Sequence, residues 1–253
     1  MSFESSSWAD IEALRKGLAE TKHPCLEDAA QAFVRELTRR FPATLLARVF
    51  IVLPLSKLPP DDRRFAAALV KNDRALDERT PVLSLLGTAG RKPEWCDRKL
   101  SKGHLAIPLL GASFVQGIPM IAKLLADLDV GLAGLDEGKT LDTRRLLGGR
   151  NGAFFVADAR SSLDADGRSI IPSKDFVAAH SVRTVFGMGG AYVDGTLAVT
   201  VVFTSETIDR LIVDRFPSLI SNFKMTTSAL LTAGLVYREA SGANGASGAP
   251  ARR

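Results

Sequence analysis

Three histidines and two cysteines are the side chains of this 253-residue chain best suited to hold a metal or carry thiol chemistry. His23, His104 and His180 are too far apart to pair at ligand spacing, and Cys25 and Cys96 stand equally isolated. No CxxC or HExxH occurs, so the usual ligand set of a structural zinc site is missing. A haem needs only one histidine. His104, in Lys102-Gly103-His104-Leu105-Ala106-Ile107-Pro108, leads into an apolar segment and is the candidate ligand contact. Its alternative reading is a surface or hydrogen-bonded imidazole. Trp95-Cys96-Asp97 carries the thiol to consider for redox chemistry, with no base beside it in sequence.

Acidic and glycine-rich stretches say less. Asp61–Asp62 suits the first turn of a helix. Asp158, Asp164 and Asp166 surround a polar loop, but the remaining positions of a calcium loop are absent. Gly148-Gly149-Arg150-Asn151-Gly152 lacks the lysine of a phosphate loop and precedes a strand, and Gly187-Met188-Gly189-Gly190 falls inside one. Neither has the strand–loop–helix context that aims backbone N–H groups at a phosphate. What remains is a pocket. Trp95, His104, Phe114, Met120, Phe186, Met188 and Tyr192 are the candidate ligand-binding residues, because small-molecule sites are lined by apolar and aromatic groups with a few polar ones. For the last three, ordinary core is the competing reading. No cofactor identity follows from these residues.

The elements that must position them come from a chain with 46% hydrophobic residues and a net charge of +5. That is enough apolar material for one large or two small domains. No apolar run reaches the roughly 18 residues of a membrane helix, and the longest stretches are broken by Pro54, Pro108 and Pro119. The start, MSFESSSWADIEALRKG, does not read as a secretion signal. Two isolated cysteines fit a reducing compartment, so a cytoplasmic, soluble protein is expected. The basic doublets Arg39–Arg40, Arg63–Arg64, Arg144–Arg145 and Arg252–Arg253 are scattered, without interleaved aromatics, and no nucleic-acid partner is expected.

Leu26, Ala30, Phe33, Val34 and Leu37 have helical spacing. Thr44–Leu53 reads as a buried strand closed by Pro54, and Asp61–Val70 as a short helix. Pro81–Thr88 is a second strand, broken by Gly87-Thr-Ala-Gly90, and His104–Leu110 a third. Phe114–Leu128 reads as helical, Gly131–Asn151 as an exposed connection, Ala153–Ala157 as a strand, and Ile171–His180 as containing a helix capped by Ser173. Asp194-Gly195 between Arg183–Val193 and Thr196–Phe203 predicts a two-residue hairpin turn. That register pairs Tyr192 with Leu197 and Phe186 with Phe203. It puts Phe186, Met188, Tyr192, Leu197, Val199, Val201 and Phe203 on one face, and Gly187, Gly189, Ala191, Ala198 and Thr200 on the other. Ser205 is expected to cap a long helix that Pro217 kinks or restarts. Residues 1–7 are expected to be flexible and the Gly/Ala/Ser-rich tail Ala240–Arg253 disordered.

The amphipathic helix Leu26–Leu37, the strand Leu45–Leu53, the hairpin FGMGGAYVDGTLAVTVVFT and the helix after Ser205 together resemble the GAF family, with PAS as its structural neighbour. The resemblance covers roughly Trp8 to Tyr237, as a match of order and pattern. It implies an α+β fold (α/β in the broad sense), an antiparallel sheet with flanking helices, and one sensory domain over 8–239. It further implies signal transduction by binding a small molecule or a protein partner, commonly as a homodimer. The bilin-attachment and cyclic-nucleotide motifs of well-known GAF branches are absent, so neither ligand carries over. Some GAF-fold enzymes reduce methionine sulfoxide with cysteines.

Three functions therefore stand. The first is a non-catalytic sensor that passes its signal to a separate protein. The second is a small-molecule enzyme with thiol chemistry at Cys96, and the third a pure assembly subunit.

Overall fold

The computed structural model describes residues 1–70, 76–101, 103–133, 135–137, 141–143 and 151–239. The expected tail over 240–253 lies outside the described residues, as does most of the glycine-rich stretch at 148–152. In chain order the main elements begin with α1 (Trp8–Glu20), α2 (Leu26–Arg40), β1 (Thr44–Pro54), α3 (Pro60–Leu69), β2 (Pro81–Gly90) and β3 (Ala106–Pro108). There follow α4 (Ala112–Gln116), α5 (Pro119–Asp127), β4 (Asn151–Val156) and α6 (Lys174–Ala179). The last are β5 (Thr184–Ala191), β6 (Leu197–Thr204), α7 (Arg210–Val213) and α8 (Pro217–Thr232). The strands form one antiparallel sheet in the order β3-β2-β1-β6-β5-β4. This is the expected α+β class, and the hairpin and terminal helix on which the GAF-like resemblance rests are both present.

Each face of the sheet covers its own core. Side chains alternate along a strand, so Ala47, Val49 and Ile51 of β1 pack beneath α1, α2 and α8. Leu46 and Phe50 point the other way, into a second core closed by α4, α5 and α6. The helix-covered side is tight. A Cβ on Gly87 would lie 2.5 Å from the backbone of Ala30, so α2 rests directly on β2. That close approach explains why Gly87-Thr-Ala-Gly90 does not break the strand, which runs on through Gly90.

Several expectations are corrected. The hairpin turn has three residues, because Tyr192 N–H donates to the carbonyl of Thr196 at 2.8 Å. Gly195, at φ +87°, is the turn residue with positive φ. A three-residue loop ending in such a glycine gives a bulged hairpin and shifts the register by one. Phe186 now pairs with Val202 and Gly187 with Val201. Phe186, Met188 and Tyr192 therefore join the core under α1, α2 and α8, whereas Leu197, Val199, Val201 and Phe203 face the other core. Thr200, expected on a small outer face, is fully buried.

The start of the chain is also anchored. Phe3, in the stretch expected to be flexible, is buried and stacks on Phe41 with ring centroids 4.4 Å apart. α1, which the pattern did not place, begins with a capping box between Ser7 and Asp10. Ser205 caps no helix. The next helix begins at Arg210, and Glu206 instead accepts a hydrogen bond from Phe3 N–H at 2.7 Å. No helix among the described residues is long and apolar enough to cross a membrane.

Candidate functional site

A cavity of about 440 Å³ opens on the face of the sheet opposite α1, α2 and α8. Its floor is the middle of the sheet: Leu46, Arg48 and Phe50 of β1, with Val201 and Phe203 of β6. These share one face because they sit at alternate positions, and β1 and β6 are neighbours with Arg48 opposite Val201. Ile118, Met120 and Ile121 at the start of α5 form one wall, and Ile171, Pro172 and Phe176 another. The loop between β2 and β3 closes the rest with Trp95, Leu100, Ser101 and His104. Most of the lining is apolar, and the volume lies within the roughly 300–1,000 Å³ of small-molecule sites.

Trp95 is held from several sides. Its carbonyl accepts from Thr88 Oγ1 at 2.8 Å. A Cβ on Gly90 would come within 2.9 Å of the indole, so this ring lies directly on the strand backbone. Phe176 and His180 meet the indole edge-on, at centroid distances of 5.5 and 4.8 Å. The same loop is fixed further along by Arg98, whose guanidinium pairs with buried Asp62 and donates to the carbonyl of Leu85.

The unusual group is Arg48. An arginine in the middle of an apolar central strand loses its water, and burial alone brings its guanidinium down to about 10. Its Nε is buried without a hydrogen-bond partner, and among the described residues no carboxylate lies within ion-pairing distance. Glu94, at the rim, is exposed and forms no pair with it. The Ser101 hydroxyl, on the same cavity, is also buried without a partner. His104 faces this charge. Burial, then repulsion from Arg48, lowers its imidazole to about 4, so it is neutral at physiological pH.

Of the residues singled out from sequence, Trp95, His104 and Met120 lie together on this cavity. Phe114, on α4, is half-buried and outside the lining. Phe186, Met188 and Tyr192 lie on the far side of the sheet for the register reason given above. Phe186 packs on Phe3 and Phe216, and the Tyr192 hydroxyl is 2.8 Å from Thr227 Oγ1. Arg48 and Ser101 were missed. The signal for Arg48 was available, since it is the one charge inside Leu45-Leu-Ala-Arg-Val-Phe-Ile-Val-Leu53. Ser101 carried none.

The two thiols lie apart. Cys25 precedes α2 on the helix-covered side, where its Sγ lies 3.2 Å from Asp28 and burial raises its pKa. Cys96 Sγ is 3.3 Å from the Gly90 carbonyl. No group of three or more potential metal ligands occurs among the described residues. Asp164 instead pairs with Arg168 in its own loop.

No family model matches the chain, and neither does any curated protein. Solved structures that are similar in fold include the GAF domain of a phosphoenolpyruvate-protein phosphotransferase from Coxiella burnetii. It has 13% identity and a TM-score of 0.48, covering 90% of this chain and 99% of that one. Another is the substrate complex of a free methionine-R-sulfoxide reductase from Neisseria meningitidis, with 10% identity, a TM-score of 0.47, and coverage of 92% and 98%. A third is the phycocyanobilin-bound GAF domain of a cyanobacterial phytochrome, with 9% identity, a TM-score of 0.45, and coverage of 90% and 98%.

Proposed function

We propose that this GAF-like chain is a non-catalytic sensory module that binds a small molecule in the cavity over β1 and β6. The observation that carries this reading is the cavity itself, apolar and of ligand size, with a guanidinium in its floor whose Nε is buried without a partner among the described residues. Its polar groups suit binding better than turnover. His104 is a neutral imidazole beside a cation, and neither thiol lines the cavity.

The same strand offers a route for the signal. Leu46, Arg48 and Phe50 touch the cavity, while the intervening Ala47 and Val49 pack under the helices. A ligand that binds one arrangement of strand and helices better than another shifts the population between them. We take the receiving surface to be a second copy of the chain and a separate signalling protein. Trp8 on α1 and Met225 on α8 are exposed apolar side chains on helices that pack together, which supports a homodimer through this layer.

The test is native mass spectrometry and absorbance of the purified chain. A stoichiometric co-purified compound, lost in Trp95→Ala and His104→Ala variants that melt near the temperature of the ligand-free wild type, is the expected result. Sedimentation at increasing concentration should show a dimer. A monomer throughout contradicts the dimer, and catalytic consumption of the bound compound contradicts the non-catalytic reading.

A further inference from the structure

Buried polar groups are nearly always hydrogen-bonded, and a buried charge is ordinarily paired. Two exceptions face the same cavity, Arg48 Nε and Ser101 Oγ. A guanidinium presents a planar fork of donors that matches a carboxylate in two parallel hydrogen bonds. Arg48 is the one cation among the described lining residues, because His104 is held neutral and the other polar groups are serines and Glu94. The described lining thus carries one positive charge, which balances one negative charge. A dianion such as a phosphate ester would leave a second charge uncompensated in the same low-dielectric space, with Glu94 at the rim adding to the repulsion. The walls opposite, Ile118, Ile121, Ile171 and Phe176, offer only apolar contact.

We propose that the ligand is a monocarboxylate with an apolar body, its carboxylate on the Arg48 guanidinium and the Ser101 hydroxyl as a second contact. This rests on the binding role proposed above and adds the chemical class of what is bound. The Arg48 charge orients the acid toward the sheet, and the apolar walls take the remainder of the molecule out of water.

Calorimetric titration of the full chain with three probes tests it: 3-phenylpropionate, its neutral amide, and 2-phenylethyl phosphate. The acid should bind about tenfold or more tightly than the amide, the size of effect expected for one charge-assisted hydrogen-bonding group, and more tightly than the phosphate. Arg48→Met should abolish the preference for acid over amide with an unchanged far-ultraviolet circular dichroism spectrum. Arg48→Gln serves the same purpose if the methionine variant does not fold. Ser101→Ala should weaken the acid by about three- to tenfold. An amide that binds as well as the acid, a phosphate that binds better, or a preference that survives the loss of Arg48 overturns the proposal. If no probe binds, the co-purified compound decides. A carboxylic acid lost with Arg48→Met supports the inference. A neutral compound overturns it while leaving the binding role in place, and no compound at all removes both.

Discussion

Arg98 and Arg48 are both arginines withdrawn from water, and their surroundings are opposites. The Arg98 guanidinium pairs with Asp62, donates from Nε to the Leu85 carbonyl at 2.5 Å, and lies over the Tyr237 ring at 5.3 Å. Asp62 also accepts from Ser84 Oγ at 3.1 Å, and the Tyr237 hydroxyl donates to that serine at 2.8 Å. Burial, the largest influence, raises the Asp62 carboxyl above its ordinary value, against the pull of Arg98. Arg98 thus ties the β2–β3 loop, α3 and the segment after α8 into one network. Arg48, half-buried in the middle of β1, has no such partners among the described residues. The difference is between a charge used within the chain to hold the structure and a charge left for something outside it.

The sharpest way to break this comparison is to remove Arg98. Arg98→Met leaves Asp62 buried without its partner and should destabilise the protein by about 3–5 kcal/mol in urea denaturation. Adding Asp62→Leu should restore most of the loss, since the desolvated carboxylate is then gone. A loss under about 1 kcal/mol in the single variant would show that Arg98 is as unpaired in effect as Arg48.

The second test is pH. His104 titrates at about 4 in the folded chain, below the ordinary histidine value. Between about pH 6.5 and 4 the unfolded chain therefore binds the proton that the folded chain refuses. Stability should be full above about pH 6.5 and fall by as much as about 3 kcal/mol as pH drops to about 4. His104→Gln should remove that part of the slope, and an identical slope in the variant would place the imidazole in water.

Smaller effects sharpen the contrast. Arg48→Met removes a half-buried charge with no ion-pair partner among the described residues and should stabilise the ligand-free protein by about 1–2 kcal/mol, the opposite sign to Arg98→Met. Thr200 Oγ1 is likewise buried without a partner, but lies on the helix-covered side away from the cavity. Thr200→Val should stabilise by about 1 kcal/mol and leave probe binding unchanged.

Much of the fold was legible because periodicity and punctuation agree. The apolar stripe of α2, the β-branched run of β1 and the proline that opens α5 all lie where their patterns put them. The hairpin was legible as a hairpin and misread in register. Asp194-Gly195 fits a two-residue or a three-residue loop, and one residue decides which face every side chain takes. Glycines held the missing information. Leu128, at the end of α5, packs onto Gly189, and a Cβ on Gly187 would meet the Thr200 carbonyl and the Phe154 ring, so the glycine face of β5 belongs to the α5 side. Trp95 and His104 were legible as a polar loop that carries an aromatic ring. Ile171, Phe176 and Ser101 were not, since only the tertiary fold brings α6 and that loop over the same strands.

The most direct test of the central claim follows the arginine Nε–H signals by ¹H–¹⁵N correlation spectroscopy while 3-phenylpropionate is added to the full chain. Arg48→Met and Arg98→Met assign the two buried groups by the signal each removes. The Arg48 signal should shift and gain protection from exchange as the probe saturates, while the Arg98 signal, already paired, stays in place. A static Arg48 signal at saturation, or an equal shift of both, would contradict the assignment of Arg48 as the anchor for a ligand.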